Sequence, residues 1–485
     1  MTVYDVLDRL AELKGSQDGK KYDYSRARLK ENYNQFVELW KTYYSGSVQG
    51  VHITQGFNGE SFFPVKRQSM KLPKMICEKW STMLFTEAFK ISLKNETETE
   101  KFRILEKQID FRSKLNQATI SGYALGTASL LASADIELNT ETETITGGKV
   151  KLDIVKYDSI FPLVFDQNDI KSIAFIRTET IKDKTTYTIS IHTMENEQAK
   201  VENIQAEVKN NKIEFSTPET IKNSQVFKNQ MFCVIRPNTI NDYSDALPFG
   251  QSIFADALAP ATDVDLAADG LRRDLEESGQ TMFVGRDLLL EGIGNDKKKK
   301  IFDNTKGRFF VIPQKLAEQG TGLKQLFEKY VPEIRVTQFW QVIKDSLTWA
   351  AMTSGLGKNN LDIIPQTTAT GVIHTEAEKM QNKSLHEQLL EVQIIKIVKA
   401  LCELSTMTGN PIDAAEINIV WSDSIIVDTT SEKNLTMREV DMGLVSKEEY
   451  RIKFYGETTE EAAQKISAIG KQDDPYNLDF MRNTG

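Results

Sequence analysis

The chain has 485 residues, 40% of them hydrophobic and 27% charged, which excludes a disordered or collagen-like protein and calls for roughly two to four structural units. Its formal net charge of −9 argues against a protein that wraps nucleic acid with a broad basic face, because that mode needs many Lys and Arg to displace counterions from phosphates. Cys77, Cys233 and Cys402 lie far apart with no C-x-x-C spacing, so neither a disulfide framework nor a zinc site is indicated and a reducing compartment fits.

The amino terminus, "MTVYDVLDRLAELKGS", carries charges where a signal peptide needs an apolar centre and reads as an amphipathic helix. Apolar recurrence at three and four residues predicts helices over 2–15, 24–45, 71–85 and 99–121. In the second of these, Leu29, Tyr33, Phe36 and Trp40 form one stripe, read as a core-facing face.

From about 127 to 236 the period changes to two. "KVKLDIVKY", "TYTISIHTM" and "MFCVIRP" alternate as half-buried strands, "NTETETITGG" reads as an edge hairpin with a glycine turn, and His192 falls in a strand as a structural residue. Residues 249–278 return to helical spacing, with seven acids against two bases. Val264, Ala268, Leu271 and Leu275 form an apolar stripe beside an acidic one of Asp265, Asp269 and Glu276, and Pro260 belongs to the first turn of the helix.

The next fifty residues change in kind. "TMFVG", "DLLLEG" and "RFFVIPQ" are short apolar runs separated by glycines and by Lys297, Lys298, Lys299 and Lys300, a small strand-rich insert with ten bases against six acids over 281–330. A second helix follows Pro332 and aligns Val336, Phe339, Ile343, Leu347 and Ala351. It ends at Ser354-Gly355, where "GLGKNNLDIIP" reads as a flexible loop. Beyond it a helical pattern runs from about 368 to 407 without a proline. Forty residues of helix span about 60 Å, a length expected to cross a domain boundary or to lie in an oligomer interface. Its interruption by Glu391, Lys396 and Lys399 makes it unsuitable as a bilayer span. The strand "EINIVWSDSIIV" and short helices opened by "SKEE" (446–449) and "TTEE" (458–461), both capping boxes, precede a tail read as poorly ordered.

Catalytic readings fail on their second requirement. "GLGKN" lacks the first glycine and the Ser/Thr of a phosphate loop, those positions being Met352 and Asn359. His374-Thr375-Glu376 imitates the H-x-E of zinc deaminases, but no P-C-x-x-C follows. His374 and His386 share a helix side yet stand about 18 Å apart along it, too far for one metal ion, and Asp263 and Asp265 of "DVD" point to different faces. No metal, cofactor or catalytic residue is assigned, and "PQTTATGVIHTEAEKM" (365–380) reads as a structural joint whose threonines are candidate helix caps and whose Gly371 marks a late start or a bend.

The order helix, strand-rich insert, helix, Gly-rich loop, long helix resembles the portal proteins of tailed double-stranded DNA bacteriophages, in the branch typical of siphophages of Gram-positive hosts. The residues that carry the resemblance are "LPFGQSIFADAL" (247–258), "EIRVTQFWQVIKDSL" (333–347), "SGLGKN" (354–359), "TATGVIHTEAE" (368–378), "WSDSIIVD" (421–428) and "MGLVSKEEYRIKFYGETTEEA" (442–462). Where the family often has an acid, this chain has Gly371.

The resemblance implies an α+β portal fold: a helical and β wing over 1–248, stem helices over 249–279 and 332–352, a clip over 280–331 and a tunnel loop over 353–366. The long helix and a returning wing strand take 367–430, and a helical crown with its tail takes 431–485. It also implies a homo-oligomeric ring, usually a dodecamer, at one capsid vertex of the virion, assembled in the host cytoplasm. The expected partners are the terminase large subunit, head-completion or adaptor proteins, the major capsid and scaffolding proteins, and double-stranded DNA in transit, with no membrane.

Under that reading Ser354, Gly355, Gly357, Lys358, Asn359 and Asn360 form the loop at the DNA constriction. Asp265, Asp269 and Glu276 become channel-facing acids, and Lys297, Lys298, Lys299, Lys300 and Arg308 become either a solvated loop or part of a docking surface on the clip. Two other classes stay open at this point: a phage nucleic-acid-processing enzyme, separable by nuclease or ATPase turnover, and a non-channel capsid or adaptor protein, separable by the lack of a central hole.

Overall fold

The computed structural model describes residues 2–19, 21–57, 61–85, 89–138, 145–166, 169–181, 184–195, 197–209, 212–216, 225–244, 246–278, 281–285, 309–312, 327–330, 333–357, 361, 369–421, 433, 436–440, 442–455, 462–463 and 465–466. The fold mixes helix and sheet, and the chain divides into two compact units, Met1–Val420 and Trp421–Gly485.

The first helix, α1 (Val3–Asp18), starts with a reciprocal cap between Thr2 and Asp5 and stops at Gly19 in the left-handed conformation. Its buried Val6, Leu7 and Leu10 pack on Phe161, Ile176, Ile189 and Ile204 of the large sheet. In α2 (Leu29–Ser45), Tyr33 and Trp40 of the expected stripe are buried, whereas Leu29 is exposed and Phe36 half-buried. Lys30 goes inside in place of Leu29. Its ammonium donates to the carbonyls of Tyr157 (2.8 Å), Asp158 (3.0 Å) and Ile160 (2.8 Å), three acceptors for three N–H bonds, which is what allows a lysine to be buried here.

After α3 (Leu72–Phe85), the single helix expected over 99–121 is two, α4 (Glu96–Gln108) and α5 (Phe111–Leu125). Asp110, at φ 53°, turns the chain between them. Apolar spacing continues across that turn because both helices bury the same kind of face, so periodicity alone does not register the break.

The two-residue period over 127–236 is a pair of antiparallel sheets. One has the order β12-β4-β5, from β4 (Ala128–Leu138), β5 (Ile145–Lys156) and β12 (Phe232–Ile235). The other runs β10-β9-β8-β7-β6, with β11 also on β9, from β6 (Ile160–Asp166), β7 (Asp169–Ile181), β8 (Lys184–Glu195), β9 (Gln198–Lys209), β10 (Lys212–Phe215) and β11 (Gln225–Phe227). Strand β5 is the expected edge, but Gly147 and Gly148 lie within it, opposite Glu137 and Ile136, rather than in a turn. A Cβ on Gly148 would come 2.7 Å from Thr408, so this glycine makes room for the end of a helix. His192 is buried in β8 between Phe175 and Phe232, as its alternation predicts, and burial pushes its imidazole down to about 3.

Two helices, α6 (Leu258–Glu277) and α7 (Val336–Thr353), bracket the insert. Pro260 lies in the first turn of α6. Among the described residues the insert holds three strands, β13 (Thr281–Gly285), β14 (Phe309–Ile312) and β15 (Phe327–Tyr330), in the order β14-β13-β15 with β13 and β14 parallel. "DLLLEG" falls outside the described residues.

The long helix, α8, runs Ala369–Met407, 39 residues, close to the expected 368–407. Gly371 is helical, so the helix does not start late, and the candidate caps Thr367 and Thr368 fall outside the described residues. The helix does not cross between the two compact units; it lies wholly in the first. Leu390, Ile394, Ile397, Leu401 and Leu404 are buried along it, and it packs on β4, β5, β12 and α3. Sheet and helix together account for its length. The carboxylate of Glu403 accepts from the backbone N–H groups of Lys228 (2.7 Å) and Asn229 (2.9 Å), tying the helix to the turn before β12.

The strand expected in "EINIVWSDSIIV" appears as β16 (Ile417–Val420), paired with β3 (Lys90–Leu93). In the second unit, α9 (Lys447–Tyr455) opens with the capping box of Ser446 and Glu449. "TTEE" and the final fifteen residues lie outside the described residues.

Candidate functional site

The site is the pair of helices α6 and α7 with the segments fastened to their sides. Gly270 faces Phe339, and a Cβ there would meet the ring at 2.6 Å, so the missing side chain lets the helices approach. Farther along, Arg335 donates to both oxygens of Asp274 at 2.8 and 3.0 Å. That guanidinium holds the Asp274 carboxyl below its usual range.

The acids expected to face a channel do not form a common stripe in solvent. Asp265 is 4% exposed and turned into its own subunit. Its carboxylate takes hydrogen bonds from His52 Nε2 (2.7 Å), Ser69 Oγ (2.8 Å) and the backbone N–H of Met70 (2.5 Å). The expectation for Asp265 is therefore corrected: a buried carboxylate needs donors, and the segment around the hairpin β1 (Ile53–Phe57) and β2 (Phe62–Lys66) supplies them. Asp269, mostly buried, pairs with Arg67 (3.1 Å) and Arg273 (2.8 Å) and serves the same attachment. Of the three, only Glu276 is strongly exposed, at 62%, and it is matched by Arg272 at 2.9 Å.

The loop after α7 begins rigidly. Ser354 is buried, its carbonyl accepts the indole N–H of Trp80 (2.9 Å), and the carbonyl of Gly355 accepts from Asn382 Nδ2 (2.8 Å) of α8. Gly355 (φ 73°) and Gly357 (φ 81°) hold left-handed backbone at this helix end, with the N–H of Leu356 bonded back to the carbonyl of Ala351 at 2.9 Å. Up to Gly357 the glycines thus cap a helix, where the sequence suggested a hinge. Lys358, Asn359 and Asn360 lie outside the described residues, as do Lys297, Lys298, Lys299, Lys300 and Arg308 of the insert expected to be a clip.

Beneath this root, His386 of α8 stacks against Trp80 with ring centroids 4.2 Å apart, and its Nδ1 lies 2.8 Å from the hydroxyl of Tyr123. Burial pushes the His386 imidazole down to about 4, so the ring is neutral at pH 7. A cleft of about 330 Å³ opens here, lined by Trp80, Asn238, Asp256, Ser354, Asn382 and His386. The side chain of His374 falls outside the described residues. Among the described residues there is no group of three or more His, Cys, Asp or Glu placed to hold a metal ion, and no helix is long and apolar enough to cross a membrane.

Sequence reasoning passed over His52, Arg67, Ser69 and Trp80, which fasten α6 and the loop root. A signal for the first two was present: "VHITQGF" and "FFPVKR" flank Asn58-Gly59, a hairpin pattern, and leave His52 and Arg67 at its two ends.

Two packed helices joined through a small sheet, followed by a capped loop root and a 39-residue helix laid across a sheet, make up the framework that carries these contacts. The family model described as "Phage portal protein, SPP1 Gp6-like" matches residues 25–476. The chain belongs to that phage portal family, a structural and non-enzymatic one. No curated protein matches the chain. Among solved structures it is similar to "Neck of native GTA particle computed with C12 symmetry", at 10% identity and a TM-score of 0.35, covering 79% of this chain and 88% of that one. A likeness that shallow carries no argument about function.

Proposed function

We propose that this protein forms a ring, a dodecamer in the virion, at a single capsid vertex and serves as the conduit for DNA during packaging and ejection. The observation that carries the reading is the family match over 25–476, which takes in both stem helices, the strand insert and the long helix. In this reading the clip, with Lys297–Lys300 and Arg308, docks the terminase large subunit and later the head-completion proteins. The wing meets the major capsid and scaffolding proteins, and Trp421–Gly485 supplies the crown. Assembly takes place in the host cytoplasm.

The electrostatics of such a conduit differ from those of three channel-facing acids. Asp265 is spent on the hairpin, and Asp269 and Glu276 are each matched by arginine. Repeated around an axis, the stem then offers DNA a wall whose arginines are matched by acids and whose acids outnumber them, so these cations are not free to bind phosphate tightly. Pairing of the arginines and the residual acidic excess together keep the duplex from sticking.

Native mass spectrometry and negative-stain class averages of the purified chain test the reading, the expected result being a ring with a central hole and no nuclease or ATPase turnover. A monomer at all concentrations and salts, or a closed dimer, would overturn it. Lys358→Glu is expected to leave the ring intact and lower the DNA packaged per particle; unchanged packaging would remove the loop from the mechanism.

A further inference from the structure

A ring with a single rotation axis needs two different surfaces on each subunit, one for each neighbour. The stem carries two apolar surfaces that its own subunit leaves in solvent. On α7, the exposed Val342, Trp349 and Met352 run from one flank of the α6 contact, about 60° around the helix from Phe339, to its far side, about 140° away, and Trp349 is 62% exposed. On the β1–β2 hairpin and its flank, Phe62 and Met70 are exposed, Phe62 at 71%, and strand alternation puts Phe62 on the side opposite Arg67, which pairs with α6.

Helix geometry separates the two. The hairpin is fastened to α6 through Asp265 and Asp269, and α7 through Gly270 and Asp274. At about 100° per residue these attachments lie about 140° apart around α6. Hairpin, α6 and α7 therefore follow one another in a row, and the two apolar surfaces are its opposite ends. Their charges are complementary: Lys66 and Lys71 are exposed beside the hairpin surface, and Asp345 is exposed between Val342 and Trp349. An exposed tryptophan and methionine also suit a protein neighbour far better than a water-filled DNA channel.

We propose that the β1–β2 hairpin of one subunit packs on the outer face of α7 of the next copy of this chain, with Lys66 and Lys71 beside Asp345. The assignment rests on the ring reading and gives it direction: each hairpin is held rigidly to its own stem helix by the His52–Asp265 contact and reaches across to the neighbour's second stem helix.

Single-cysteine variants Phe62→Cys and Val342→Cys, purified separately and treated with a bismaleimide, test it. The native Cys77, Cys233 and Cys402 are buried, which keeps them out of the reaction. Crosslinked dimers are expected after the two variants are mixed and reassembled, and from neither alone; the double variant should give a ladder ending at the ring. Dimers from Phe62→Cys alone would show a hairpin-to-hairpin contact and overturn the assignment. So would a wild-type ring that yields no mixed crosslink and persists in Trp349→Asp. If the wild-type chain is itself monomeric, the ring reading fails first and the assignment with it. For Trp349→Asp the expected result is loss of the ring with an unchanged monomer melting curve.

Discussion

His52 Nε2 lies 2.7 Å from Asp265 Oδ2, and the Nδ1 of the same ring accepts the backbone N–H of Val48 at 3.0 Å. An Nδ1 that accepts carries no proton, so the neutral ring donates from Nε2 to the carboxylate. One side of the histidine is thereby fixed to the chain before the hairpin and the other to α6.

Removing the carboxylate should release the hairpin. Asp265→Ala is expected to cost about 3 kcal/mol, because it strands the buried His52 donor, the half-buried Ser69 hydroxyl and a backbone N–H at once. Denaturant melts report the loss, and limited proteolysis should open a cut between 53 and 70. Glu276→Ala, which breaks only an exposed pair, should change stability by less than about 0.5 kcal/mol. Equal losses in the two variants would mean that Asp265 is not the clamp.

Acid should weaken the fold through two histidines. Burial depresses His192 to about 3 and His386 to about 4, against about 6.5 in an unfolded chain. Between those values the unfolded state binds more protons, so stability rises with pH there. The contribution is full above about 6.5 and is lost as pH falls through about 4 and then about 3. Melting temperature measured from pH 7 down to pH 4 should fall in wild type and fall less steeply in His386→Gln. A parallel decline in both would exclude His386 as a source.

The loop root gives a sharper contrast. Gly355→Ala places a side chain on left-handed backbone at φ 73° with its Cβ 3.4 Å from the Trp80 ring, and about 1 kcal/mol of destabilisation is expected. Trp80→Phe removes the donor to the Ser354 carbonyl and should cost about 1–3 kcal/mol. If the segment up to Gly357 were a free hinge, Gly355→Ala would be neutral in a thermal melt.

Gly270 and Phe339 should couple. Alanine at 270 gains about 1 kcal/mol of helix propensity, but the new Cβ would meet the Phe339 ring at 2.6 Å, and overpacking costs about 1–3 kcal/mol. Gly270→Ala should therefore destabilise alone and become neutral or favourable beside Phe339→Leu. A double-mutant cycle with no coupling would place the two residues apart.

Much of the helix order was legible because each helix carries its own punctuation. Pro260 opens α6, Ser354-Gly355 closes α7, and an unbroken pattern from 368 to 407 became a helix of 39 residues. Strands β5, β8 and β12 were legible from alternation, which depends only on neighbours two positions away. The turn at Asp110 was not, since left-handed backbone at a non-glycine leaves no trace in an apolar count.

Sequence by itself determined the kind of protein: the order of helix, insert, helix, loop and long helix is a one-dimensional property, and it led to the family that the match over 25–476 establishes. It also determined that Asp265, Asp269 and Glu276 share a helix side. Only the tertiary structure decided that they do different things. A helix surface states which residues are neighbours along it and says nothing of what is laid against them. Here a hairpin some two hundred residues earlier brings His52, Ser69 and Arg67 against two of those acids and leaves the third to solvent. The direction of a carboxylate, inward or outward, is set by the donors that reach it, and those come from the fold.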